Sequence, residues 1–286
     1  AEELRRRYEA PAALDAPGEQ LNGAGVLPPR TVPAGERMSY DGVVGSTAAL
    51  FGVLLVGALA GWFFPALTMP GLLVGLVLGL VNSFKRSPSP ALILIYGAAE
   101  GMFLGGISAA FEALYGGIVV QAVLATLCVF VATLVLFAGG VVRASAQATK
   151  ILMIAMGGYL LFSLVNLGVM VFGGASGNPW GLNGSVEIFG IPLGVLIGVL
   201  AVLMAAYSLV LDFDYIAQGV RNGAPKRFAS QAAFGLVVTL VWLYVEFLRP
   251  FAILAGNRHC VRPGLATGPL ASAGANCAPP DRPQLD

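Results

Sequence analysis

Seven apolar stretches, each about as long as a bilayer is thick, follow one another between Val43 and Leu254 and leave little sequence for any soluble fold. They fall at 43–64, 66–84, 91–112, 118–137, 151–172, 188–211 (extending as far as 218) and 231–254. About 20 helical residues cross the hydrocarbon core. Lipid offers no partner to an unpaired N–H or C=O, and the strand-like alternation of a barrel is absent, so the stretches are expected to be helices. The expected fold class is an all-α integral membrane protein with seven transmembrane helices. Composition agrees: 11% of residues are charged and 57% hydrophobic, against about 25% charged in soluble domains. Mean hydropathy is +0.81. The first apolar run begins too late and is too long for a cleaved signal peptide.

Residues 1–41 are polar, rich in Pro, Gly and Glu, and carry Arg5-Arg6-Arg7; they read as a disordered tail. Residues 42–255 read as the membrane domain and 256–286 as a flexible tail. Pro65 and Pro70 flank the start of the short second span, so the first two spans read as a tight hairpin. Lys and Arg set the orientation. Arg5, Arg6, Arg7, Arg30 and Arg37 precede the first span, and Lys85 and Arg86 follow the second. Arg143 and Lys150 lie between the fourth and fifth, and Arg221, Lys226 and Arg227 between the sixth and seventh. The connections after spans one, three and five carry neither residue. The positive-inside rule then puts the N-terminus in the cytoplasm and the last tail outside, although Arg258, Arg262 and Arg282 weigh against the latter.

Several chemistries are excluded or left without support. Cys128, Cys260 and Cys277 form no CxxC, and His259 is the sole histidine, so no Cys/His metal site is expected. An extracytoplasmic tail would leave a Cys260–Cys277 disulfide open without requiring one. Asn183-Gly184-Ser185 matches a glycosylation sequon that is common by chance. The net charge of +1 indicates no nucleic-acid or acidic partner.

Function is sought among carboxyls inside the spans, where one ionisable group costs about 2.5–3.5 kcal/mol on the insertion scale. Glu100, Asp212, Asp214 and Glu246 qualify; Glu112 and Glu187 read as solvated flanks at helix ends. Glu100 lies near the midplane beside Gly97, Gly101 and Gly105, whose spacing lets another backbone approach closely. The run Gly71, Gly75, Gly79 reads as plain packing. Asp212 and Asp214 stand two residues apart, so one faces inward and the other outward, and the sequence does not say which. Glu246 either pairs within its own helix with Arg249, which snorkels outward, or faces the bundle and meets Asp212. Two carboxyls held together in low dielectric would titrate as a coupled pair and form a pH switch.

The stretch Leu211-Asp212-Phe213-Asp214-Tyr215-Ile216, followed by Trp242-Leu243-Tyr244-Val245-Glu246-Phe247-Leu248, resembles the closing signature of the Bax inhibitor-1 family, the transmembrane Bax inhibitor motif proteins. Asn82-Ser83-Phe84-Lys85-Arg86, Glu100-Gly101-Met102-Phe103-Leu104-Gly105-Gly106 and Gly223-Ala224-Pro225-Lys226 look like its actinobacterial branch, and the likeness spans roughly 40–255. The resemblance implies six helices around a central seventh, in a bacterial plasma membrane, and a pH-sensitive calcium leak gated by a di-acidic pair. By position the pair is Asp212 and Glu246, which would hold Ca2+ only transiently, with Lys85 or Arg86 near the place of a basic latch. Glu100 and Asp214 are further candidates for the ion path. No cofactor is implied beyond the permeant calcium, and the partners are lipid, calcium and protons. Glu246 departs from the family's Asp, and the connection before the seventh helix is longer than in compact members. A tight turn near Asn222-Gly223 would leave Asp212 and Glu246 about 15 Å apart in depth. They meet only if part of 219–234 lies flat or loops out.

Rival readings are a proton-coupled transporter, for which no inverted repeat with broken helices is evident, and a non-transporting regulator of a partner protein. An intramembrane enzyme is not expected: His259 lies after the last span, and no Gly-x-Gly-Asp element occurs.

Overall fold

The computed structural model describes residues 37–85, 89–172, 182, 187–188 and 191–261. Seven of its helices are long and apolar enough to cross a membrane. They are α1 (Tyr40–Phe63), α2 (Thr68–Phe84), α3 (Pro90–Leu114), α4 (Ile118–Ala138), α5 (Ala146–Phe172), α6 (Leu193–Arg221) and α7 (Arg227–Val261). The only extended pairing among the described residues besides an Arg37–Pro225 bridge is a two-residue antiparallel ladder, Glu187–Ile188 against Ile191–Pro192, just before α6.

Local chemistry sets the helix ends. Ser39 Oγ accepts from Gly42 N at 3.1 Å and caps α1. A single 3-10 turn, Pro65–Leu67, reverses the chain into α2, as the two prolines suggested. The Glu112 carboxylate accepts from Gly117 N at 2.6 Å and Val119 N at 3.1 Å, so a residue expected as a solvated flank instead satisfies donors at the start of α4.

Two boundaries differ from expectation. α6 runs through both aspartates to Arg221, and α7 begins at Arg227 rather than near 231. Gly223 (φ +62°) makes this abrupt reversal feasible, with Gly223 N bonded to Val220 O and Ala224 N to Gly219 O. The structured chain also starts before residue 42. Met38 N donates to Ala224 O at 2.6 Å, and the Met38 side chain is buried among Val43, Leu209, Phe213 and Ile216. At the other end α7 continues to Val261, into the stretch read as tail.

α7 is central, as expected. It packs on α1, α3, α4 and α6 and reaches α5 through Tyr159 and Trp242, while α2 is held mainly on α3. α3 lies between α1 and α2. The Gly57 and Gly61 positions face the α3 backbone at Ala98 and Met102, and Gly101 and Gly105 face the α1 backbone at Leu54 and Ala58. On α2, Gly71 and Gly75 meet Ala99 and Glu100. These runs are packing surfaces of small residues, because lipid provides no hydrophobic drive and close approach must supply the attraction. Large apolar side chains such as Leu55, Leu59, Ile154 and Leu161 point outward, as a lipid-facing surface allows.

Candidate functional site

Asp212 lies against the central helix and Glu246 belongs to it, at different levels. Asp212 precedes the end of α6 by about 13 Å of helix. Its Oδ2 accepts from Thr239 Oγ1 at 2.7 Å, and its Oδ1 would lie 3.1 Å from a Cβ added at Gly235. Asp212 is therefore the inward member of its pair. Asp214 turns away and accepts from Gln218 Nε2 at 2.5 Å on an exposed stretch.

Glu246 is buried, 1% exposed. Its Oε1 accepts from the Tyr159 hydroxyl of α5, from Trp242 Nε1 at 3.1 Å and from Arg249 at 3.2 Å. Arg249 also donates to the Tyr159 oxygen at 3.0 Å. Both alternatives for Glu246 are thus partly met: it faces the bundle, and its cation is its own neighbour one turn on. Its Oε2 is buried without a hydrogen-bond partner.

The expected Asp212–Glu246 contact is not made. Thr239, the residue that Asp212 touches, lies two helical turns before Glu246, about 10 Å along the axis. The cause is the tight turn. α7 is helical from Arg227 onward, so no part of 227–234 loops out to bring the carboxyls level.

Glu100, on α3, is half-buried against Gly75 and near Tyr96. Among the described residues no donor reaches its carboxylate. Lys85 is exposed just past α2 and makes no ion pair with Asp212 or Glu246. Arg86, Cys277, Asn183–Ser185 and the side chains of Glu187 and Cys260 lie outside the described residues. Cys128 is free and exposed.

The sequence reading missed Thr239, Trp242 and Tyr159. Two of them had a signal. Gly235, Thr239, Trp242, Glu246 and Arg249 recur at intervals of three and four, so they share one face of α7. That face is a polar stripe of about 21 Å in an apolar bundle, met by Asp212 from α6 and Tyr159 from α5. Tyr159 had no comparable signal, being one aromatic hydroxyl in an apolar span.

The family model described as Bax inhibitor 1 like matches residues 5–256, which takes in α1 to α6 and α7 as far as Gly256. No curated protein matches the chain.

Proposed function

The chain belongs to the Bax inhibitor-1 family, and on that footing we propose that it is a pH-sensitive cation leak of the bacterial plasma membrane, with calcium as its principal permeant ion. The observation that carries this reading is the polar stripe of α7. With Asp212 of α6 it offers carboxylate and hydroxyl oxygens at two depths, Asp212 with Thr239 and then Glu246. Hard cations such as Ca2+ take oxygen ligands of this kind. Two sparsely furnished stations would hold the ion weakly enough to let it leave. Calcium here is cargo, and no resident cofactor is assigned.

The carboxyls act in series in this proposal, in place of one shared-proton pair. A proton on either removes the charge that draws a cation inward, so the leak grows as pH rises. Arg249 serves as the latch once sought in Lys85 or Arg86, because an ion reaching Glu246 must displace its guanidinium. The Lys and Arg residues flanking α1, α2, α4 and α6 face the cytoplasm in this arrangement, with the N-terminus on that side. No catalytic step is involved.

The test is calcium flux through the purified protein in sealed liposomes, from mildly acidic to mildly alkaline pH, for wild type, Asp212→Asn and Glu246→Gln. Passive flux that rises with pH and loses that dependence in the variants is expected. Flux that requires a counter-ion gradient would make the protein a proton-coupled transporter. Unchanged pH dependence in folded variants would leave the carboxyls structural and favour a non-transporting regulator.

A further inference from the structure

α5 stands apart from the other spans. It is the least buried of the seven, and no α5 side chain belongs to any of the three buried apolar clusters. Its inward face presents Leu152, Tyr159 and Asn166 at heptad spacing, and only Tyr159 of these bonds to the central helix. Asn166 Oδ1 accepts from Leu182 N at 2.8 Å, within the connection that follows α5. Near its start, Ser145 N donates to the Tyr207 hydroxyl of α6 at 3.2 Å. Outward, Ile151, Ile154, Leu160, Leu161 and Leu164 are exposed, and a Cβ at Gly157 or Gly158 would meet nothing within 4 Å.

In lipid, apolar area does not hold one helix to another; packing and interhelical hydrogen bonds do. α5 has little of the first, so its mid-length attachment rests on one phenol. That phenol is fully engaged. It donates to Glu246 Oε1, accepts from Arg249, and its ring lies 6.2 Å from that of Trp242. The two charged groups that hold it are the ones the leak proposal requires to part.

We infer that Tyr159 is a positioning residue, the catch by which the Glu246–Arg249 pair holds α5 against the bundle, and that α5 is the helix that swings away when the pair opens. The inference rests on the leak proposal for its purpose, but its geometry is tested separately. A closed catch keeps the α5 wall over Glu246. When Arg249 turns from Glu246, the phenol oxygen loses the donor that fixes its hydroxyl on Glu246, and α5 is released into lipid.

The experiment measures the distance between spin labels on exposed positions of α5 and α7, Ile154→Cys and Leu254→Cys, with Cys128, Cys260 and Cys277 replaced by Ser. The full chain is held in lipid nanodiscs. Tyr159→Phe removes the hydroxyl and keeps the ring. It is expected to broaden and lengthen the distance distribution and to raise calcium leak at fixed pH by about tenfold, the worth of one hydrogen bond to a charged group. Glu246→Gln opens the pair by removing its negative charge, so it too is expected to broaden the distribution. Asn166→Ala loses bonds only to Met170 on the same helix and to Leu182 in the following connection, and should leave it unchanged. Arg249→Met removes the nitrogen that donates both to Glu246 Oε1 and to the Tyr159 oxygen, and should broaden the distribution even if Tyr159→Phe does not fold. A Tyr159→Phe distribution identical to wild type overturns the catch, as does equal broadening by Asn166→Ala. Absence of calcium flux in wild type would instead overturn the leak proposal and leave the distance result to judge the catch.

Discussion

Removing Arg249 should cost far more than neutralising Glu246, although the two form one ion pair. Consider Arg249→Met, which keeps an unbranched apolar stem and deletes the charged guanidinium. Glu246 is 1% exposed and would retain only Trp242 and Tyr159 on Oε1, with Oε2 still unpartnered. A buried carboxylate without its cation typically costs about 3–5 kcal/mol. Arg249 itself is 22% exposed, so water reaches one side of the pair and the lower end, about 3 kcal/mol, applies. Glu246→Gln is the contrasting change. It keeps an acceptor for both Trp242 and Tyr159, and the orphaned guanidinium can snorkel through its exposed side, so about 1 kcal/mol is expected. The double variant removes both charges and should return to roughly the cost of Glu246→Gln, a coupling of about 3 kcal/mol between the sites. Thermal unfolding in detergent, followed by loss of the monodisperse size-exclusion peak, should show Arg249→Met lower by about 6–12 °C and the other two by about 2–4 °C. Equal losses in the two single variants, or strictly additive losses in the double, would refute the account of a charge stranded by its partner's removal.

Three further outcomes follow from the geometry. Asp212→Asn and Glu246→Gln should change calcium flux independently, their logarithms adding to within about 0.5 kcal/mol, because the groups sit two turns apart; strong non-additivity in the liposome assay would restore a coupled pair. Gly101→Leu should abolish folding, since α1 backbone occupies that space, whereas Gly157→Ala should be neutral or stabilise by up to about 1 kcal/mol, as nothing lies within 4 Å; expression and melting temperature separate the two. Glu112→Ala should cost about 1 kcal/mol by uncapping α4, visible as a fall of a few degrees in melting temperature without change in flux.

The seven helices, the presence of carboxyls within the spans and the family resemblance were open to reading from the chain alone, because each rests on local properties. Hydropathy over a bilayer's thickness decides a span, and a stretch such as 118–137 needs no distant partner to declare itself. Even the objection to an Asp212–Glu246 contact was legible, since rise per residue fixes depth once the turn is known. Whether the turn was tight depended on Gly223 adopting a left-handed conformation and on Met38, from the presumed tail, filling the space beside Gly219. The first is local and marked by the Asn222-Gly223 pair; the second is a contact between distant segments and leaves no local mark. The same holds for the partners of the two acids. Which of Asp212 and Asp214 turns inward is set by how α6 is rotated against Gly235 and Thr239, and Tyr159 meets Glu246 from a helix far away in sequence. Apolar pattern thus determined that these groups would be buried in a membrane. Only helix rotation and depth decided what each would bond to, because a hydrogen bond reaches about 3 Å and a span is ten times that.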